Sequence, residues 1–96
     1  MIVEKNITTD KTTSTFSWRG GPSFVFIQGT FNGATVTMNA GQDSLGFIAL
    51  DGTAVTVESY FKVELPANAQ FNFTVSGSGG STDINVSILE PANLVT

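Results

Sequence analysis

The chain has 96 residues, a net charge of −4, no cysteine, no histidine and only four cations. Its length makes one domain that can bury a core without staples, and its composition excludes disulfides and thiolate metal sites. Four scattered cations cannot supply the clustered charge that phosphates or an anionic bilayer demand, so neither nucleic acid nor membrane is an expected partner.

The longest strictly apolar run, Phe24 to Ile27, falls far short of the roughly 20 residues that span a bilayer. No secretory signal is visible behind Met1. Charged residues make up 12% of the chain, while Thr, Ser and Asn number 29. A typical globular domain carries about 25% charged residues, so here neutral hydroxyls and amides must cover much of the surface. An all-β protein with a Thr bias and a surface built to pack closely against neighbours both fit this composition.

In chain order, Ile2, Val3 and Ile7 open an apolar segment, followed by a polar stretch from Thr8 to Thr15. Residues 1–15 are expected to form either a loop of the fold or an N-terminal arm that orders against a partner. Phe16 and Trp18, two apart, share a strand face. Arg19-Gly20-Gly21-Pro22 is a strong breaker. After it, Ser23 to Phe31 and Ala34 to Ala40 flank Asn32-Gly33, a hairpin signal. The first of these strands is apolar on both faces, with Phe24 and Phe26 opposite Val25, Ile27 and Phe31, and is expected to be covered on both sides. The second alternates, with Ala34, Val36, Met38 and Ala40 inward and Thr35, Thr37 and Asn39 outward.

Gly41 to Ser44 is the next expected turn, and Leu45 to Leu50 an apolar strand with little exposure. Asp51-Gly52 is a second hairpin-type turn. From Ala54 to Leu65 the apolar residues come two apart, which predicts a strand broken near Ser59, with Glu58, Lys62 and Glu64 outward. Pro66 to Ala69 is a turn. Phe71, Phe73 and Val75 alternate with polar residues, Gly77 to Ser81 is a flexible loop, and Ile84, Val86 and Ile88 mark a last strand before Glu90-Pro91. No stretch carries a helical period. The expected fold is therefore all-β, an antiparallel β-sandwich of seven or eight short strands over residues 16–96, jelly-roll-like or immunoglobulin-like in its connections.

Candidate chemistry is thin. Without His or Cys the common general base and the best nucleophile are missing, and nothing sets Lys5, Lys11 or Lys62 beside a particular Ser. A glycosidase needs two carboxylates about 5–10 Å apart. Asp43 and Asp51 end opposite sides of one strand, about 25 Å apart, and Glu58 and Glu64 share a charged outer face with Lys62. Gln42-Asp43-Ser44 and Ser81-Thr82-Asp83 offer one carboxylate each, too few for a calcium loop. The Gly77–Gly80 run lacks the Lys and the following helix of a phosphate loop. Sequons at Asn6, Asn72 and Asn85 are expected by chance in so Thr- and Ser-rich a chain. No cofactor, no metal and no catalytic activity are expected. Among aromatics, Trp18 suits a core or an interface, and Tyr60, with its hydroxyl at a strand break, is the better candidate for a ligand platform.

Phe16-Ser17-Trp18, the G-T-F-N-G-A-T-V-T run within Phe24 to Thr37, Asp51-Gly52, Glu64 to Gly77 and Thr82 to Ile88 together carry a resemblance. The chain resembles the small β-sandwich proteins of tailed-bacteriophage virions, the capsid decoration or cement proteins and related tail or fibre modules. The resemblance implies a jelly-roll-like sandwich and a structural role. It would sit on the capsid exterior of the virion, after synthesis in the host cytoplasm, bound to the major capsid protein, commonly as a homotrimer. Residues 2 to 15 would supply the capsid contact or swap between protomers, and Ile2, Val3, Ile7, Trp18 and Tyr60 are the candidate interface residues. The alternative is a carbohydrate- or receptor-binding module of a phage tail or fibre.

Overall fold

A computed structural model describes residues 1–42 and 45–90. Nine strands follow in order: β1 (Ile2–Ile7), β2 (Lys11–Thr12), β3 (Phe16–Ser17), β4 (Gly21–Thr30), β5 (Thr35–Gln42), β6 (Gly46–Ala49), β7 (Ser59–Leu65), β8 (Gln70–Ser76) and β9 (Asp83–Leu89). All pairings are antiparallel. The first sheet runs β1-β9-β4-β7; the second runs β2-β8-β5-β6, with β3 beside β2 on β8. Taking β2 and β3 as one interrupted strand leaves eight strands among the described residues, within the seven or eight expected of the antiparallel sandwich.

The core lies between the sheets. Period-2 alternation sends Val25 and Ile27 of β4, Ile84, Val86 and Ile88 of β9 and Val63 of β7 inward from one side. Val36, Met38 and Ala40 of β5 and Phe71, Phe73 and Val75 of β8 meet them from the other. Trp18 sets its edge on Phe71 at 5.4 Å, and Phe71 does the same to Phe73 at 6.1 Å, the T-shaped geometry that aromatic quadrupoles favour.

The Asn32-Gly33 turn departs from expectation. Both residues hold positive φ, 46° and 92°, as that dipeptide favours. The strands it joins do not pair, however: β4 belongs to the first sheet and β5 to the second. The turn is an arch across the core. The connections β6–β7, β7–β8 and β8–β9 also change sheet, so Asp51-Gly52 closes no hairpin between β6 and β7 either. Beyond that turn, Val55 returns to bridge Val36 of β5, and the break in the strand falls before Ser59, where β7 starts.

Three further expectations are corrected. β4 is interior to its sheet but buried on one face only, since Phe24 and Phe26 point outward and are half-buried. Leu45 to Leu50 forms an exposed edge, with Ile48 71% accessible, because among the described residues β6 has a neighbour on β5 alone. The Gly77–Ser81 loop is docked. Ser78 donates its backbone N–H to the Asp10 carboxylate at 2.8 Å. Gly79 donates to Thr82 Oγ1 at 2.9 Å, and that hydroxyl donates onward to the Phe31 carbonyl at 2.8 Å. The expected turn at Gly41 to Ser44 includes Asp43 and Ser44, which lie outside the described residues.

Residues 1–15 belong to both sheets. β1 pairs with β9 through two register shifts, and Asn6 takes a φ of 55° at the second. β2 pairs with β8. Thr13 is buried; its backbone N–H donates to the Phe73 carbonyl at 2.8 Å, and its hydroxyl accepts the Phe73 N–H at 3.0 Å.

Gly29 shows how tightly the sheet constrains β4. Its φ is 125°, and a Cβ there would sit 2.1 Å from the Asp83 carbonyl oxygen. Gly29→Ala is expected to cost about 2 kcal/mol or more in urea unfolding, through backbone strain and a displaced β9. Asp10 supplies a pH signature. The Ser78 hydroxyl, then the Ser78 backbone N–H, hold its carboxyl below the usual value. A carboxyl depressed on folding contributes stability above its unfolded pKa and loses it as pH falls through the folded value. Thermal melts of wild type and Asp10→Asn should therefore differ at neutral pH and converge in acid.

Candidate interaction face

The outer faces of the two sheets have opposite chemistry. On the second sheet, β5 presents Thr35, Thr37 and Asn39, and β8 presents Gln70, Asn72, Thr74 and Ser76. Asn39 Nδ2 donates to Asn72 Oδ1 and Thr74 Oγ1, both at 2.9 Å. The Thr12 and Thr74 hydroxyls lie 3.2 Å apart. Across β5 and β8 this face carries no charge, and Asn39, Asn72 and Thr74 are hydrogen-bonded to one another at its centre.

The first sheet carries an apolar patch on its outer face, among polar and charged neighbours. Its register lines up Ile2, Ser87, Phe26 and Tyr60 in one row, and Leu89, Phe24 and Lys62 in the next. Tyr60 is 66% exposed, Ile2 61% and Leu89 54%. Phe26 and Tyr60 stack with centroids 5.3 Å apart and planes 13° from parallel, while Phe24 lies 6.4 Å from Tyr60 at a tilt. The rings pack against one another on the outer side of paired β4 and β7. Exposed apolar groupings on a protein surface are candidates for interaction sites.

At the end of this patch, Phe26, Gln28, Glu58, Ser59 and Tyr60 line a shallow cleft of about 260 Å³. The Glu58 carboxylate there accepts the Gly29 N–H at 2.8 Å. A second, smaller pocket of about 170 Å³ opens at one end of the sandwich beside Trp18, Phe71 and Ile88. The Arg19–Glu90 ion pair, 2.7 Å long, stands at its rim.

Of the candidate interface residues, Ile2 and Tyr60 fall on one exposed row, joined by Ser87 and Phe26. Val3, Ile7 and Trp18 are buried in the protomer's own core. Trp18 satisfies its indole N–H by donating to the Gly21 carbonyl at 2.8 Å. Phe24 and Phe26 are the members of the face that sequence reasoning assigned to the core. The signal that finds them is the pairing of Phe26 with Tyr60, which parity alone does not reveal. Glu58 and Glu64 do not converge: Glu58 precedes β7, and Glu64 lies six residues along extended chain, about 20 Å away; Asp43 lies outside the described residues. No group of three metal-ligating side chains occurs among the described residues.

Compared with protein-family models, with curated proteins and with solved structures, the chain gives no match in any of the three.

The face and the core should separate cleanly under mutation. Tyr60→Ser, which removes an exposed ring and one stacking partner, is expected to cost about 1 kcal/mol or less in chemical denaturation. Phe71→Ala, at the centre of the aromatic core, should cost about 3–5 kcal/mol.

Proposed function

We propose that this chain is a non-catalytic structural protein of a bacteriophage virion, which decorates the capsid and stabilises it by associating on its surface. The observation that carries the reading is the apolar face of Ile2, Phe24, Phe26, Tyr60 and Leu89 on the outside of a sandwich whose core is complete without it. The opposite face is covered by neutral amides and hydroxyls, which can lie close to a neighbour without stripping water from ions. The absence of His and Cys from the sequence supports a role outside catalysis. In this reading the partner is the major capsid protein, the site is the capsid exterior, and the chain associates with copies of itself.

The cleft beside Tyr60 favours a second reading, a carbohydrate- or receptor-binding module of a tail or fibre. An aromatic ring beside an amide, a hydroxyl and a carboxylate stacks on a sugar and hydrogen-bonds its hydroxyls.

Cosedimentation with purified capsids from the same source tests the first reading, and a glycan array tests the second. The decoration role expects saturable capsid binding, weakened about tenfold or more by Phe26→Thr with Tyr60→Ser, and no glycan hits. Glycan binding without capsid binding would reverse the order of the two readings.

A further inference from the structure

A sandwich has four sheet edges, and exposed edges recruit other strands unless they are short, bulged or covered. Three of these edges are blunted. β1 is broken by two register shifts, β6 has four residues, and β2 and β3 have two each. β7 is different. It pairs with β4 without interruption from Ser59 to Leu65 and contains neither Gly nor Pro. Among the described residues, no backbone group pairs with its other side.

We infer that β7 is a homodimer seam, pairing antiparallel with β7 of a second copy about a two-fold axis at Val63. The side chains select this register. With Val63 opposite Val63, Lys62 stands opposite the partner's Glu64, and by symmetry Glu64 stands opposite the partner's Lys62. Shifting the axis one residue either way sets Lys62 against Lys62 or Glu64 against Glu64, and like charges directly opposite repel. Neither Lys62 nor Glu64 has an ion-pair partner among the described residues. The inner side of the strand agrees. Phe61 and Leu65, half-buried at the margin of the core, become cross-strand neighbours, and the seam extends the apolar layer between protomers.

The outcome is one continuous sheet across both copies. Because the axis is perpendicular to the sheet, the two apolar faces lie side by side on the same surface. This contact is two-fold, in contrast to the trimer that the family resemblance implies. It stands independently of what the apolar face binds.

Sedimentation over a concentration series, with the protein alone, tests it. Wild type should form dimers. Lys62→Glu and Glu64→Lys each turn both symmetric attractions into repulsions and should weaken association about tenfold or more, while the double reversal restores it. Both side chains are exposed, so circular dichroism should report an unchanged fold. The register has its own readout, because the chain lacks cysteine. Mixing Lys62→Cys with Glu64→Cys protein should give a disulfide-linked heterodimer under oxidation, in preference to either homodimer. A monomer throughout, or an oligomer indifferent to the single reversals, would overturn the inference.

Discussion

One apolar layer between two sheets holds this chain together, with no disulfide to help it, and the layer must be closed by a chain that keeps changing sheets. Four of the five connections after β4 cross from one sheet to the other. Each crossing turns backbone polar groups into the rim of the core, where an unpaired group is costly. Buried threonines meet that cost. At the crossings Thr53 donates to the Leu50 carbonyl at 2.7 Å and Thr82 to that of Phe31; Thr13, between β2 and β3 of one sheet, accepts from Phe73 in the same way. No buried side-chain polar atom among the described residues is left without a partner. The Thr-rich composition thus serves the interior corners as well as the surface.

Strand positions were legible in the sequence because burial on one face imposes a period of two, and β5, β8 and β9 show it plainly. Partners were less legible. Asn32-Gly33 specifies a local backbone with positive φ at both residues, and that geometry serves an arch as well as a hairpin. Whether the next strand lies beside the last or across the core is decided by pairings remote in sequence, such as Val36 with Val75 and Val25 with Ile88. Runs that are apolar on both parities were ambiguous for a related reason. Phe24-Val25-Phe26-Ile27 gives no hint of which half faces out, and Leu45 to Leu50 none of its edge position. The candidate face was half legible. Tyr60 and Ile2 stand out as apolar residues on polar parities, whereas Val3, Ile7 and Trp18 looked equally suited to a partner and belong to the core.

The two outer faces solve the same structural problem with different side chains. Both sheets need side chains that suit an extended, pleated backbone, and the second sheet meets that need with Thr and Asn. The same choice was open to β4 and β7. Instead they carry Phe24, Phe26 and Tyr60, whose mutual stacking contributes about 0.5–1.5 kcal/mol per pair beyond area burial. Tyr60 keeps most of its surface in water, so part of its transfer free energy remains unrealised, while Phe24 and Phe26 are half-buried.

Rigidity decides how much of that unrealised energy an encounter could recover. Ordering a mobile side chain on binding costs about 0.5–1.5 kcal/mol, and ordering a loop costs more. Here the rings sit on interlocked strands, with Phe26 held between Ser87 and Tyr60 and Phe24 between Leu89 and Lys62. Much of their ordering has already occurred on folding. A partner that covers them gains apolar burial at little further entropic cost, while the same rings contribute only modestly to the stability of the lone protomer. On the proposed reading, that asymmetry is what an association face requires and an incidental exposure of hydrophobic residues would lack.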